Sequence, residues 1–143
     1  YGPEVKGNFA TLLRVVALGL PLPLGAINNA RSLVALENMV DLLVICLKHP
    51  AAAGQIFLVS DREDVSTNEL LVRTARALKK RIILLPVPTS MLKLAATLLG
   101  KHEVAQRICG SLQVDISKTC DLLNWKPLIS LDEGLRRAVQ GSS

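Results

Sequence analysis

Aromatic residues are the first scarcity: Tyr1, Phe9, Phe57 and Trp125 are the only ones in 143 residues. Single-stranded nucleic acid is held on rows of such rings, so these four argue against that partner and leave an aliphatic core. Glycine is present nine times but never clustered: no two of the nine lie closer than five positions. Neither a P-loop nor a dinucleotide-binding G-x-G-x-x-G can be written from that spacing. Cysteine is sparse and odd in number, with Cys46, Cys109 and Cys120 widely spaced and no C-x-x-C. Such usage fits a reducing, cytoplasmic compartment. Cys46-x-x-His49 hints at a metal, but no second ligand pair follows and Cys46 sits in an apolar run, so a buried thiol is expected and no metal. Long apolar runs are also missing. The longest, from Val15 to Ile27, is broken by Pro21 and Pro23 and cannot span a bilayer, so no membrane partner is expected. The chain opens with Tyr1 rather than Met, which reads as an excised or processed piece.

What is present is a hydrophobic, folded chain. Half the residues are apolar, 20% are charged, and mean hydropathy is +0.36, which excludes disorder. The length suits one domain, spanning residues 1–143, that buries roughly 70% of its unfolded surface. Seventeen basic against twelve acidic residues give +5. The cations are dispersed, and their densest cluster, Lys79-Lys80-Arg81, ends an expected helix where positive charge favours the macrodipole. No nucleic-acid partner is expected; a solvated face or an anionic small-molecule site suits the balance better.

Apolar periodicity and punctuation predict helices over Asn8–Leu18, from Glu37 or Asn38 to Lys48, and from a Ser66-x-x-Glu69 capping box to Lys80. Further helices are expected at Met91–Leu99, at Glu103–Cys109, from an Asp115 cap to Leu123 or Asn124, and from a Ser130-x-x-Glu133 box to Val139. Short strands are expected at Leu33–Leu36, Gln55–Ser60 and Arg81–Val87, with Pro21-Leu22-Pro23-Leu24-Gly25 as an extended edge or loop. Asp61 to Asp64 reads as a polar loop without calcium-ligand spacing. The class is α/β: a small mixed sheet with about six helices, too sparse for a complete doubly wound fold.

Four motifs in order carry a resemblance. They are Tyr1-Gly2-Pro3 with Gly7-Asn8-Phe9; Arg31-Ser32-Leu33-Val34 with Glu37-Asn38-Met39-Val40-Asp41; Val114-Asp115-Ile116-Ser117-Lys118; and Leu123-Asn124-Trp125-Lys126-Pro127 with Leu131-Asp132-Glu133-Gly134-Leu135. Together they resemble the C-terminal, substrate-binding half of an extended short-chain dehydrogenase/reductase, in the NAD-dependent epimerase/dehydratase family of the UDP-glucose 4-epimerase kind. The resemblance implies that the longer protein has a Rossmann domain with the NAD site and a catalytic Tyr-x-x-x-Lys ahead of this chain. Tyr1 has Val5 four places on, so no catalytic residue is expected here and the piece alone should be inactive.

By the same resemblance, this chain holds the nucleotide of a nucleotide-sugar. Asn8 and the backbone of Phe9 match residues that meet the diphosphate at a helix start, where free N–H groups favour phosphate. Arg31 matches a diphosphate-binding arginine, whose fork suits phosphate oxygens. Without the resemblance, Asn8 reads equally as an N-cap and Arg31 as a turn residue. The family's R-x-G-D stretch has no counterpart, and Arg107, then Lys101, are the candidates for its role. Asp115 and Trp125 are expected to be structural. The resemblance further implies a homodimeric longer protein, and a fragment that self-associates through the apolar surface left uncovered. A nucleotide-sugar dehydratase or reductase, or a non-catalytic interaction module, remains an alternative on these residues.

Overall fold

The computed structural model describes residues 1–3 and 8–141, and the side chains of Asn8 and His102 lie outside what it describes. Seven helices are present among the described residues: α1 (Asn8–Ala17), α2 (Leu36–Lys48), α3 (Thr67–Ala77), α4 (Thr89–Leu98), α5 (His102–Cys109), α6 (Ser117–Leu123) and α7 (Leu131–Gln140). Two short strands, β1 (Arg31–Ser32) and β2 (Asp64–Val65), pair as a two-stranded sheet. The fold is mixed α/β, as the sequence implies, but with less strand than the apolar runs suggest. The chain forms two compact units.

Unit 1 comprises Tyr1–Val5, Ser32–Asp64 and Gln113–Ser143. Its core joins Leu42 of α2 to Ile116, Leu123 and Trp125, with Ile45, Cys46, Phe57, Val59 and Cys120 packed around them. Each fully buried aliphatic side chain of this kind contributes about 1.5–3 kcal/mol. The Trp125 indole donates to Asp41 Oδ2 at 2.7 Å, so its one polar atom is satisfied on burial. Asn124 ends α6 with φ of +47°, a left-handed position that asparagine tolerates better than any residue but glycine. Ser130 caps α7 through the Glu133 amide, as its spacing predicts.

Two expected strands of unit 1 take other forms. Leu33–Leu36 is not a strand: the Ala35 amide donates to Asp61 Oδ1 (2.9 Å) and the Leu36 amide to the Tyr1 carbonyl (2.8 Å), and α2 starts at once. Gln55–Ser60 is extended but unladdered. Phe57 and Val59 turn into the core while Ile56 and Leu58 are exposed. The Ile56 and Leu58 carbonyls accept from the Lys118 ammonium and the Thr119 hydroxyl rather than from a neighbouring strand. Asp115 also differs from expectation, because Ile116 occupies the N-cap position; Asp115 accepts from the amide and hydroxyl of Ser117 one step further out.

Unit 2 comprises Lys6–Arg31 and Val65–Leu112. Val16 of α1 packs on Leu71 and Ala75 of α3, with Leu12, Leu22, Leu24, Leu78, Ile82 and Leu84 around them. Ser66 accepts from the Glu69 amide at 3.0 Å and starts α3, while the Glu69 carboxylate pairs with Arg73 one turn on. The expected strand Arg81–Val87 is reduced to a single parallel bridge, Leu22 to Leu84. Gly25 lies close to this pair: a Cβ there would meet the carbonyls of Leu84 and Leu85 at 3.0 Å.

Candidate functional site

The residues that the sequence reading singles out, Asn8, Phe9, Arg31, Lys101 and Arg107, all fall in unit 2. Helix α1 begins at Asn8, whose side chain lies outside the described residues, and Phe9 is half-buried in its first turn. That turn carries no acidic residue. The contacts of Leu12 and Val16 fix the helix against α3.

Arg31 is held by a set of bonds that begins two residues earlier. Asn29 is buried and uses both atoms of its amide. Its Nδ2 donates to the carbonyls of Ile108 (3.2 Å) and Gly110 (2.7 Å), and its Oδ1 accepts from the Thr67 amide (2.8 Å). The Thr67 hydroxyl also donates to Ile108 O at 2.8 Å. Next, the Ala30 amide donates to Ser111 Oγ, the Leu112 amide donates to Ala30 O, and Arg31 makes a parallel bridge to Leu112. Residues 29–31 therefore run beside 108–112, which brings the Arg31 backbone alongside the end of the helix bearing Arg107. Asn29 is the joint, and sequence reading missed it; a polar residue between Ile27 and Arg31 was the only available signal.

Arg107 is exposed, with Glu103 3.9 Å from it. A solvated pair at that distance holds a guanidinium weakly, so Arg107 can turn to another anion. Lys101 is placed differently. It stands six residues before Arg107, roughly 9 Å along the helix axis. It lines a cleft of about 220 Å³ with Leu24, Leu92, Ala96, Leu99 and Ile108 among its walls. Unit 2 thus offers two basic residues, Arg31 and Arg107, on neighbouring segments, and an apolar cleft with a lysine on its wall.

Unit 1 has a cleft of the opposite character, about 270 Å³, lined by Ser60, Arg62, Asp64, Asp115, Ser117 and Asp121. Hydrogen bonds from Ser32 and Gln113 hold the Asp64 carboxyl below its ordinary range, and those from Ser117 do the same for Asp115. Three carboxylates face one guanidinium in that cleft, a lining that disfavours a phosphate. Among the described residues no group of His, Cys, Asp and Glu side chains could hold a metal ion. Cys46 packs on the core, and His49 Nδ1 accepts from the Ala51 amide at 3.2 Å.

The fold of this chain is shared with part of a solved epimerase structure. The structure of UDP-glucuronic acid 4-epimerase from Bacillus cereus, in complex with NAD, superposes with a TM-score of 0.69 at 17% identity, over 99% of this chain and 41% of that one. In sequence the relation is more particular: the chain is homologous to the C-terminal part of UDP-glucose 4-epimerase. It is 52% identical to that of Vibrio cholerae over 141 residues, 98% of this chain. It is 27% identical, over 152 residues and again 98% of this chain, to an N-acetyl-alpha-D-glucosaminyl-diphospho-ditrans,octacis-undecaprenol 4-epimerase of Escherichia coli O157:H7. The chain spans 43% and 46% of these two relatives, less than half of each. No family model matches the sequence.

Proposed function

We propose that this chain is the nucleotide-sugar-binding portion of an NAD-dependent epimerase of the UDP-glucose 4-epimerase kind, inactive by itself. The observation that carries the reading is the 52% identity maintained over 98% of the chain. In this reading Arg31 and Arg107 grip the diphosphate of the substrate, and the first-turn amides of α1 at Asn8 and Phe9 add to them. Lys101 and the apolar cleft beside Leu24 border the nucleoside end. Binding energy gained on these remote groups orients the sugar at the reacting centre.

NAD, when bound, supplies the reversible redox chemistry at the sugar carbon. Among the described residues, neither two-residue strand leads through a glycine-rich turn into a helix. The proposal therefore assigns NAD and the proton-transferring residues to sequence beyond these 143 residues. It also assigns the protein to the cytoplasm, which its three free cysteines suit. The exposed apolar residues of unit 1, Leu43, Val44 and Leu47 on α2 with Ile56 and Leu58, are then surface that the rest of a homodimeric enzyme covers. Left bare, the same surface self-associates.

Calorimetric titration with UDP and UDP-glucose tests the nucleotide assignment. Both should bind, and Arg31→Ala should weaken binding about 10- to 100-fold, the loss of one or two charge-assisted hydrogen bonds. Absence of heat with UDP, or an unchanged affinity in the variant, would sink the reading.

A further inference from the structure

We propose that the apolar cleft of unit 2 seats an aliphatic chain esterified to phosphate, with the phosphate on Lys101. The cleft is built at the corner where α4 turns into α5. Gly100 takes φ of +66°; its amide donates to Thr97 O (3.0 Å) and the Lys101 amide to Ala96 O (2.7 Å). These two bonds close a Schellman turn, whose left-handed position suits glycine, and they hold the Lys101 backbone beside the cleft. Leu92 and Leu99 line it from the α4 side, Val104 and Ile108 from α5, and Leu24 from the segment that precedes Gly25.

The lining decides the chemistry of the occupant. Its side chains offer two polar atoms, the Lys101 ammonium and the Cys109 thiol, and a thiol bonds weakly. Backbone groups of the walls are already engaged: Ala96 O accepts from Lys101, Lys101 O from the Val104 and Ala105 amides, and Ile108 O from Asn29 and Thr67. A nucleobase entering here would strip water from several donors and acceptors and regain little in exchange. An alkyl chain gives up no hydrogen bond and gains apolar contact. The volume of about 220 Å³ is below the roughly 300–1,000 Å³ of sites that enclose a whole drug-sized ligand, so a slender chain suits it. Lys101 supplies the charge. Among the described residues no carboxylate pairs with its ammonium, whereas Arg107 has Glu103. A cation on an otherwise apolar wall takes an anionic oxygen. That this anion is a phosphate ester rests on the diphosphate reading of unit 2 given above. It widens the substrate class: the sugar diphosphate can carry a long aliphatic alcohol where a nucleotide-sugar carries its nucleoside.

The test is calorimetric titration of the 143-residue chain with butyl, hexyl and octyl phosphate, each kept below its micelle concentration. Affinity should rise about two- to fourfold for each methylene the cleft buries, and UDP should displace octyl phosphate. Ale-length dependence should be lost in Ala96→Phe, which fills the cleft and should bring octyl phosphate down to the affinity of butyl phosphate. Val104→Gln, at a more exposed place on the wall, serves the same purpose if Ala96→Phe loses its helical circular dichroism. Lys101→Ala should weaken all three phosphates about tenfold and leave their ranking intact. Equal affinity for the three, wall variants that still prefer octyl phosphate, or octyl phosphate retained under saturating UDP overturns the proposal. UDP binding without octyl phosphate binding sinks this proposal and leaves the nucleotide reading standing. Octyl phosphate binding with the stated pattern, but no UDP binding, upholds the cleft assignment and removes the nucleotide reading.

Discussion

Asn38 is the most heavily bonded side chain of unit 1. It is fully buried, its Oδ1 accepts from the amides of Leu128 (2.8 Å) and Ile129 (3.1 Å), and its Nδ2 donates to Ile129 O (2.9 Å) and Asp61 Oδ1 (2.7 Å). Asp61 in turn accepts from the Tyr1 hydroxyl at 2.5 Å. Asn38→Ala strands two amides and part of a carboxylate, and should cost about 3 kcal/mol in urea denaturation. Tyr1 gives a pH signature. Burial first, then the hydrogen bond and charge of Asp61, then Glu37 and Glu63, push its phenol well above the ordinary tyrosine range. A raised folded pKa means this stability is complete below the unfolded value near 10 and is lost as pH rises beyond it. As Tyr1 is the only tyrosine, absorbance at about 295 nm should report its ionisation only as the protein unfolds in alkali. Early, reversible titration of Tyr1 near pH 10 in folded protein would contradict this.

Helices were legible at the scale of elements because their signals are local: Ser66 and Ser130 cap where their spacing says, and the apolar stripes of α1 and α3 face one another. Strands were not, because an apolar run becomes a strand only if another segment ladders with it. Gln55–Ser60 and Arg81–Val87 have the composition, yet one is bonded by side chains of α6 and the other by a single bridge. Helix α7 carries a further constraint. A Cβ on Gly134 would lie 2.6 Å from the Tyr1 hydroxyl and 2.8 Å from its ring. Alanine gains about 1 kcal/mol of helix propensity but meets overpacking of about 1–3 kcal/mol. Gly134→Ala should therefore destabilise, and the sign should reverse when Tyr1→Ala opens the space. Urea midpoints of the four proteins in that cycle decide it.

Across the whole molecule, the candidate residues of the site were easier to name than to assemble. Arg31 and Arg107 stand 76 positions apart in sequence, and it takes the bonds of Asn29 to Ile108 and Gly110, of Ala30 to Ser111 and Leu112, and the Arg31–Leu112 bridge to bring their segments alongside. Lys101, named for the same role, instead borders the apolar cleft. The acidic cleft of unit 1 was illegible, since Asp64 and Asp115 come from distant segments whose local reading was a loop and a cap. Exposed apolar surface on α2 sets the expected solution behaviour. The chain should self-associate as its concentration rises, and Val44→Glu with Leu47→Glu should shift light scattering toward the monomer. A wild-type chain that stays monomeric at high concentration would remove that expectation.

The burial of Trp125 has an optical consequence. Apart from Phe9, every aromatic residue belongs to unit 1, and the one indole lies in that unit's core, 2% exposed. Tryptophan emission is therefore a signal from unit 1 alone. A nucleotide seated at Arg31 and Arg107 would leave the indole's immediate neighbours unchanged, so a silent fluorescence titration is compatible with binding there. A blue or red shift on adding ligand would instead locate the event at the core of Leu42, Ile116 and Leu123.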